Sequence, residues 1–469
     1  MKWIKYKKLQ FQQVINDLKR IKTLHDFFDV LSIEKLSVLA FFFVMIWSLI
    51  PILLMILSLF YDRTSIFSFM FNSSRLTIIW YMLMQQIGYL GFIMILLLVI
   101  KSLRHMKINR IPLKTYLIDH SAEILLMMFL LWSLISTLFS SNLALSFGGT
   151  DYRKDGWLSY LAYGGFYGIG YLLFRRKYIF KFLSTLVVVG SILGILLIIN
   201  HEPTNGLLTF HFKSTVFYNP NHMGYYLVLV TLSAAFLGFR KPKIDLGKVI
   251  FYILFSILTV ALIENGSFGP YLAVSAGLLF LLIMTFILKK SKLIHAISIA
   301  FLFLGITLVM NEETNFLSQE TVQLTEGFGD IIEDNENAGS AGSGRWNLWT
   351  NAIEFMIEKP VVGYGIENLE QAYLEVGITQ DRPHNEFIQI GASIGIIGLI
   401  LYIASLGFHF FDFLRIKKKS TFYIIGLFMI VFGYLVSTLF GNSMFYTTPY
   451  FMIIFGISRS FLKFETSYM

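Results

Sequence analysis

Runs of about 17–25 mostly apolar residues recur along this chain between short polar gaps, the length an α-helix needs to cross a hydrocarbon core. They fall near 37–60, 77–100, 122–139, 158–174, 179–199, 222–239, 249–264, 270–288, 293–310, 386–411, 421–440 and 448–462. The expected fold is therefore an all-α polytopic membrane protein with about 12 transmembrane helices. Ahead of the first run, Phe11, Val14, Leu18, Ile21, Leu24 and Phe28 stand at steps of three and four among lysines. That spacing predicts a basic amphipathic helix lying on the inner membrane surface. The first run starts too late and is too long to be the core of a secretory signal. The pattern divides the chain into an amphipathic segment (1–36), nine helices (37–310), a large polar loop with short helices of its own (311–385), and three further helices with a short tail (386–469).

Composition excludes a soluble protein: 56% of residues are hydrophobic and 14% charged, with a mean hydropathy of +0.66. In a soluble chain a net charge of +9 would suggest a nucleic-acid partner. Here the distribution of the charge points to membrane topology, with no nucleic-acid partner expected. Lysine and arginine cluster in every second gap, and 30 of the 38 basic residues lie on one side. By the positive-inside rule that side is cytoplasmic. Both termini are then inside, and the loop faces outward. With no cysteine in the chain, neither a disulfide nor thiol chemistry is available to it.

Candidate chemistry follows from this topology. Even-numbered spans open outward at their N-termini, where unpaired N–H groups and the positive helix dipole favour anions. Asn219 is placed to cap the sixth span, with Pro220 in its first turn and Asn221 and His222 beside it. Arg153, Lys213, His222, Arg345 and Arg382 near these outward ends suit a phosphate or pyrophosphate. Ordinary capping and snorkelling cations are the competing explanation. Within the loop, Trp346, Trp349, Ile353 and Met356 predict a surface helix stopped by Pro360, with Arg345 in its first turn. His384, Ile388, Gly391, Gly395 and Gly398 follow steps of four and three. They would share one helical face, with Gly391 and Gly395 forming a small-residue packing seam. A histidine at the mouth of that seam could take a proton from a hydroxyl or bind a phosphate oxygen. No Asp-x-Asp pair or ligand cluster suggests a metal site.

These residues resemble the O-antigen ligase and O-antigen polymerase superfamily of bacterial envelope glycan assembly. His384 and Asn385, then Gly395 and Gly398, match its ligases' histidine motif. Arg345 resembles the arginine of an Arg-x3-Leu element, with Trp349 where leucine is expected. Asn219-Pro220-Asn221 with Gly224 is similar to a shared stretch opening a central span, and Arg153 with Gly156 to another. Ser267-Phe268-Gly269 stands where relatives often carry Ser-Arg-Gly, so one phosphate-binding arginine is absent.

The resemblance implies a metal-independent, inverting glycosyltransferase without a cofactor, in the bacterial cytoplasmic membrane. Its donor would be a glycan on undecaprenyl pyrophosphate, and its acceptor a glycan or cell-envelope hydroxyl on the outer face. Arg345, with Arg153 or Arg382, would hold the pyrophosphate, and His384 would serve the acceptor hydroxyl. Lys213, Asn219, Asn221, His222 and Asn385 complete the candidate substrate contacts. Polymerase and ligase remain open, as do a lipid-linked oligosaccharide flippase and a non-catalytic membrane scaffold.

Overall fold

The computed structural model describes residues 22–23, 26, 28, 30–61, 73–151, 153–199, 217, 219–240, 245–288, 290–333, 339, 341–415 and 422–467. Most of the expected N-terminal amphipathic helix, and Lys213, lie outside them. Among the described residues helix is the only regular structure. In chain order the helices are α1 (Ile33–Tyr61), α2 (Ser73–Ile108), α3 (Leu113–Asp119), α4 (Ser121–Leu138), α5 (Leu143–Gly148), α6 (Trp157–Tyr171), α7 (Arg176–Ile199), α8 (Pro220–Arg240) and α9 (Leu246–Glu264). There follow α10 (Phe268–Leu288), α11 (Leu293–Thr314), α12 (Phe316–Ile332), α13 (Arg345–Glu358), α14 (Leu369–Glu375), α15 (Glu386–Arg415), α16 (Phe422–Ser437) and α17 (Thr448–Ser467).

A helix stands at each of the twelve expected positions, and ten are long and apolar enough to span a membrane. The other two are α6 and α17. With 15 residues, α6 reaches only about 22 Å at 1.5 Å per residue, short of a core about 30 Å thick. The second half of α17 carries Arg459, Ser460 and Lys463. Both are packed into the bundle all the same, α6 between α2 and α17. The α2–α6 contact is made through glycines. A Cβ at Gly165 would stand 1.7 Å from the carbonyl oxygen of Gly88, so the two backbones touch as small residues allow in membrane helices.

The centre of the fold is α8. Every residue from His222 to Phe239 is buried, as expected of a helix apolar on all sides. It packs on α7, α9, α10 and α16. Near the predicted cytoplasmic end, Arg459 is fully buried. It grips Glu123 of α4 through Nε and Nη2, both at 3.0 Å, and also pairs with Asp412 of α15. These pairs tie α4, α15 and α17 together and compensate the buried charge of Arg459.

The expected glycine seam takes a different form. α15 is broken at Gly395, whose φ of 86° and ψ of 166° are non-helical. His384 lies ahead of the helix at a φ of 52°, so the two do not share a continuous helical face. Gly391 meets the side chain of Met356, and Gly395 the backbone of Val361, so the seam receives the large loop and not a neighbouring membrane helix. Backbone groups freed by the break are taken up by that loop. Tyr364 N donates to Ala392 O at 3.0 Å, Gly365 N to Ser393 O at 2.8 Å, and Ile396 N to Pro360 O at 2.8 Å. From α4, Trp132 Nε1 donates to Ile394 O at 3.2 Å, and Ser136 Oγ lies 2.6 Å from Val362 O. Irregular backbone inside a helix of this kind persists because freed groups such as Ala392 O, Ser393 O, Ile394 O and Ile396 N find partners within the protein.

Candidate active site

The stretch before α6 and the two loop segments around Glu367 and Arg382 meet in one charged network. Arg153 binds Asp381 with both arms of its fork, Nε to Oδ2 at 2.7 Å and Nη2 to Oδ1 at 2.6 Å. Arg382, 2% exposed, pairs with Glu367, with Asp381 at 3.3 Å and with Asp155 at 3.8 Å. Glu367 also accepts from Thr150 N at 3.3 Å and Thr150 Oγ1 at 3.1 Å, and Asp155 from the Tyr163 hydroxyl at 2.7 Å. Burial opposes ionisation of Asp381, but Arg382 and Arg153 outweigh it and hold the carboxyl at about 2. Burial, then neighbouring Glu367, pushes Asp155 well up. Burial also works against the Arg382 charge, and Glu367, Asp381 and Asp155 overcome it and raise its pKa. Two buried guanidiniums balanced by carboxylates make a firm frame.

His384 stands beside this frame, between Pro383, whose carbonyl accepts from Trp349 Nε1 at 2.9 Å, and the helix-capping Asn385. Burial, then Arg153 and Arg382, lower the His384 pKa to about 4, with Arg345 adding to the effect and Asp381 opposing it. All three expected arginines therefore act on one histidine, which is neutral at physiological pH and able to accept a proton.

The candidate residues take different positions in this arrangement. Arg153 and Arg382 are already held by carboxylates. Arg345 opens α13 and donates from Nη1 to Gly342 O at 3.1 Å, while its Nε is buried without a partner. Asn219 Oδ1 caps α8 through His222 N at 3.0 Å. Asn385 Oδ1 caps α15 through Phe387 N at 3.1 Å and Ile388 N at 3.2 Å. Asn221 is half-buried at the start of α8, and His222 is buried there. Asp155, Glu367, Asp381 and Glu386 were not singled out from the sequence, nor was the Gly441–Thr447 connection. Within that connection Ser443 N donates to Glu386 Oε2 at 2.6 Å, and Met444 Sδ lies 3.9 Å from Arg153 Nη1. The available signal was a polar interruption between the last two apolar runs.

A largely apolar cavity of about 540 Å³ runs between α2, α4, α6, α15 and α17. At one end it is lined by Lys101, His105, His120 and Glu123, along its length by residues such as Phe92, Met127 and Tyr167, and at the other end by Tyr160, Tyr163, Glu386, Ser443 and Thr448. Tyr163 binds Asp155 and Ser443 binds Glu386, so this second end opens against the charged network.

Residues 253–403 match the family model for O-antigen ligase. The match supports placing the chain in the O-antigen ligase and polymerase superfamily. It takes in α13, the loop with Glu367 and Arg382, His384 and the Gly395 break. The O-antigen ligase match and the apolar helices together support a multi-pass protein of the bacterial inner membrane and a glycosyltransferase of the ligase or polymerase type. No curated protein matches the chain.

Proposed function

We propose that this protein transfers a glycan from undecaprenyl pyrophosphate to an acceptor sugar hydroxyl at the outer face of the cytoplasmic membrane, by a metal-independent inverting displacement. The observation that carries the reading is the meeting of the apolar cavity with the charged network beside His384. A polyprenyl tail suits the first and its phosphate end the second. The acceptor oxygen bonds to the anomeric carbon as the bond from that carbon to the pyrophosphate oxygen breaks. Neutral His384 takes the hydroxyl proton. The buried, unpaired Nε of Arg345 is the donor best placed to meet the charge developing on the departing pyrophosphate. Arg153 and Arg382 lend positive potential from fixed positions and hold the loop segment that carries His384.

The test is transfer by the purified protein from a lipid-pyrophosphate-linked glycan, together with glycan extraction from a strain lacking it. Single repeat units left on the lipid identify a polymerase, and long lipid-linked chains identify a ligase. Unchanged glycans in that strain, with no transfer in vitro, refute the reading.

A further inference from the structure

Four buried polar atoms beside the network have no hydrogen-bonding partner. They are the carboxamide oxygen and nitrogen of Asn442 and both ring nitrogens of His222, in residues that are each 5% exposed. The elements that carry them touch. The His222 ring lies 5.6 Å from that of Tyr446, and Tyr225, one turn along α8, donates its hydroxyl to Phe440 O at 3.2 Å. Between Phe440 and Tyr446 runs the segment whose Ser443 binds Glu386 and whose Met444 meets Arg153. Folded proteins pair nearly all their buried polar atoms, and a carboxamide and an imidazole left wholly unpaired in adjoining elements call for a partner.

The chemistry of the unpaired set selects that partner. A phosphate oxygen only accepts hydrogen bonds. Asn442 offers both a donor and an acceptor, and a neutral imidazole has one of each. A hydroxyl also does both, and neighbouring ring hydroxyls match the paired geometry of a carboxamide. Tyr225 and Tyr446 add aromatic faces beside these groups, while the guanidiniums of Arg153 and Arg382 are already engaged by carboxylates.

We propose that Asn442 and His222 bind hydroxyl groups of the sugar attached to the donor's pyrophosphate. The assignment rests on the glycan-transfer reading and gives His222 a sugar contact in place of the phosphate contact expected from the sequence. Solvent reaches none of the four atoms, so docking of the sugar displaces the Asn442–Tyr446 segment.

The experiment compares binding of two lipids to the full chain in nanodiscs: undecaprenyl pyrophosphate, and the lipid-linked glycan extracted from a strain lacking the protein. Wild type should prefer the glycosylated lipid. Asn442→Ala and His222→Ala should each weaken it by about tenfold, the scale of one good hydrogen-bonding group, and leave the bare lipid's affinity unchanged. Equal losses on both lipids, or no loss on either, overturn the assignment. Should Asn442→Ala fail to fold, Asn442→Leu keeps the volume, and full preference for the sugar in that variant also overturns it. Wild type binding both lipids alike removes the sugar contact only. Wild type binding neither removes the transfer reading and this assignment with it.

Discussion

Arg382 separates a structural from a ligand-binding role for the buried arginines. Its guanidinium is 2% exposed and faces Glu367, Asp381 and Asp155. Replacement by glutamine leaves two buried carboxylates, Glu367 and Asp155, without their cation, while Asp381 keeps Arg153. Removing one partner of a buried pair costs about 3–5 kcal/mol, or about two to three and a half decades in the folding equilibrium at 1.4 kcal/mol per decade. Arg382→Lys should recover only part of this, because a point charge cannot reach all three carboxylates at once. Arg382→Gln combined with Glu367→Gln should recover more, since it removes one stranded charge. The assay is denaturant unfolding in detergent followed by tryptophan fluorescence, with the amount of protein in the membrane as a second measure. If Arg382→Gln unfolds like wild type yet no longer binds the lipid-pyrophosphate donor, the arginine belongs to the ligand and the argument is wrong.

Four other expectations follow from the same geometry. For His384, the acid limb of kcat/KM should lie near pH 4, because the free protein holds the imidazole neutral above its pKa of about 4; the limb of kcat should lie higher, since a bound pyrophosphate favours the imidazolium, and a kcat/KM limb near pH 6.5 would remove His384 as the base. Arg345→Lys should lose most transfer at normal protein level, a lysine being unable to reproduce the guanidinium fork; full activity in Arg345→Ala would return the residue to a surface role. Gly395→Ala should destabilise by about 1–3 kcal/mol or more from backbone strain alone, with the new Cβ also 2.1 Å from Val361 O, and wild-type unfolding would refute the break. Reporter fusions at Lys290 and Glu333 should report opposite compartments, and the same compartment for both would overturn the inside–outside assignment.

Much of the helical plan could be read from hydropathy, because a membrane span must be both long and apolar. α6 is the instructive exception. The run 158–174 suggested a span, but Leu173 and Leu172 fall beyond the helix and its glycines serve close packing, which hydropathy does not register. Arg459 was equally hidden, since its partners Glu123 and Asp412 are separated from it by 336 and 47 residues. Around the site, the cations stood out because they are scarce in the gaps that carry them, and the Asn219 and Asn385 caps followed from local rules. Their carboxylate partners did not stand out. Within a loop of fifteen acidic residues, nothing local distinguishes Glu367, which is buried, and Asp381, which is half-buried, from Glu326 and Glu333, which are exposed. That distinction arises only when α6 brings Arg153 and Asp155 against the loop. The helical face proposed for His384 failed because a periodicity argument assumes an unbroken helix, and Gly395 takes a conformation that period cannot reveal.

The break in α15 also sets how this protein could be re-engineered. Its large loop looks like a cassette, bounded by two long apolar helices and open to exchange with the loop of a related protein. The stitching at Ala392, Ser393 and Ile396 places the true boundary deeper. A loop transplanted with an end at Glu386 would meet carbonyls and an N–H that expect the backbone of Pro360–Gly365, and a recipient with a straight helix would offer nowhere to dock. The exchangeable unit therefore extends past Gly398 into the membrane and takes Trp132 and Ser136 of α4 with it. Chimeras cut at the visible loop ends should express poorly, and those cut below the break should keep both their fold and their donor's selectivity.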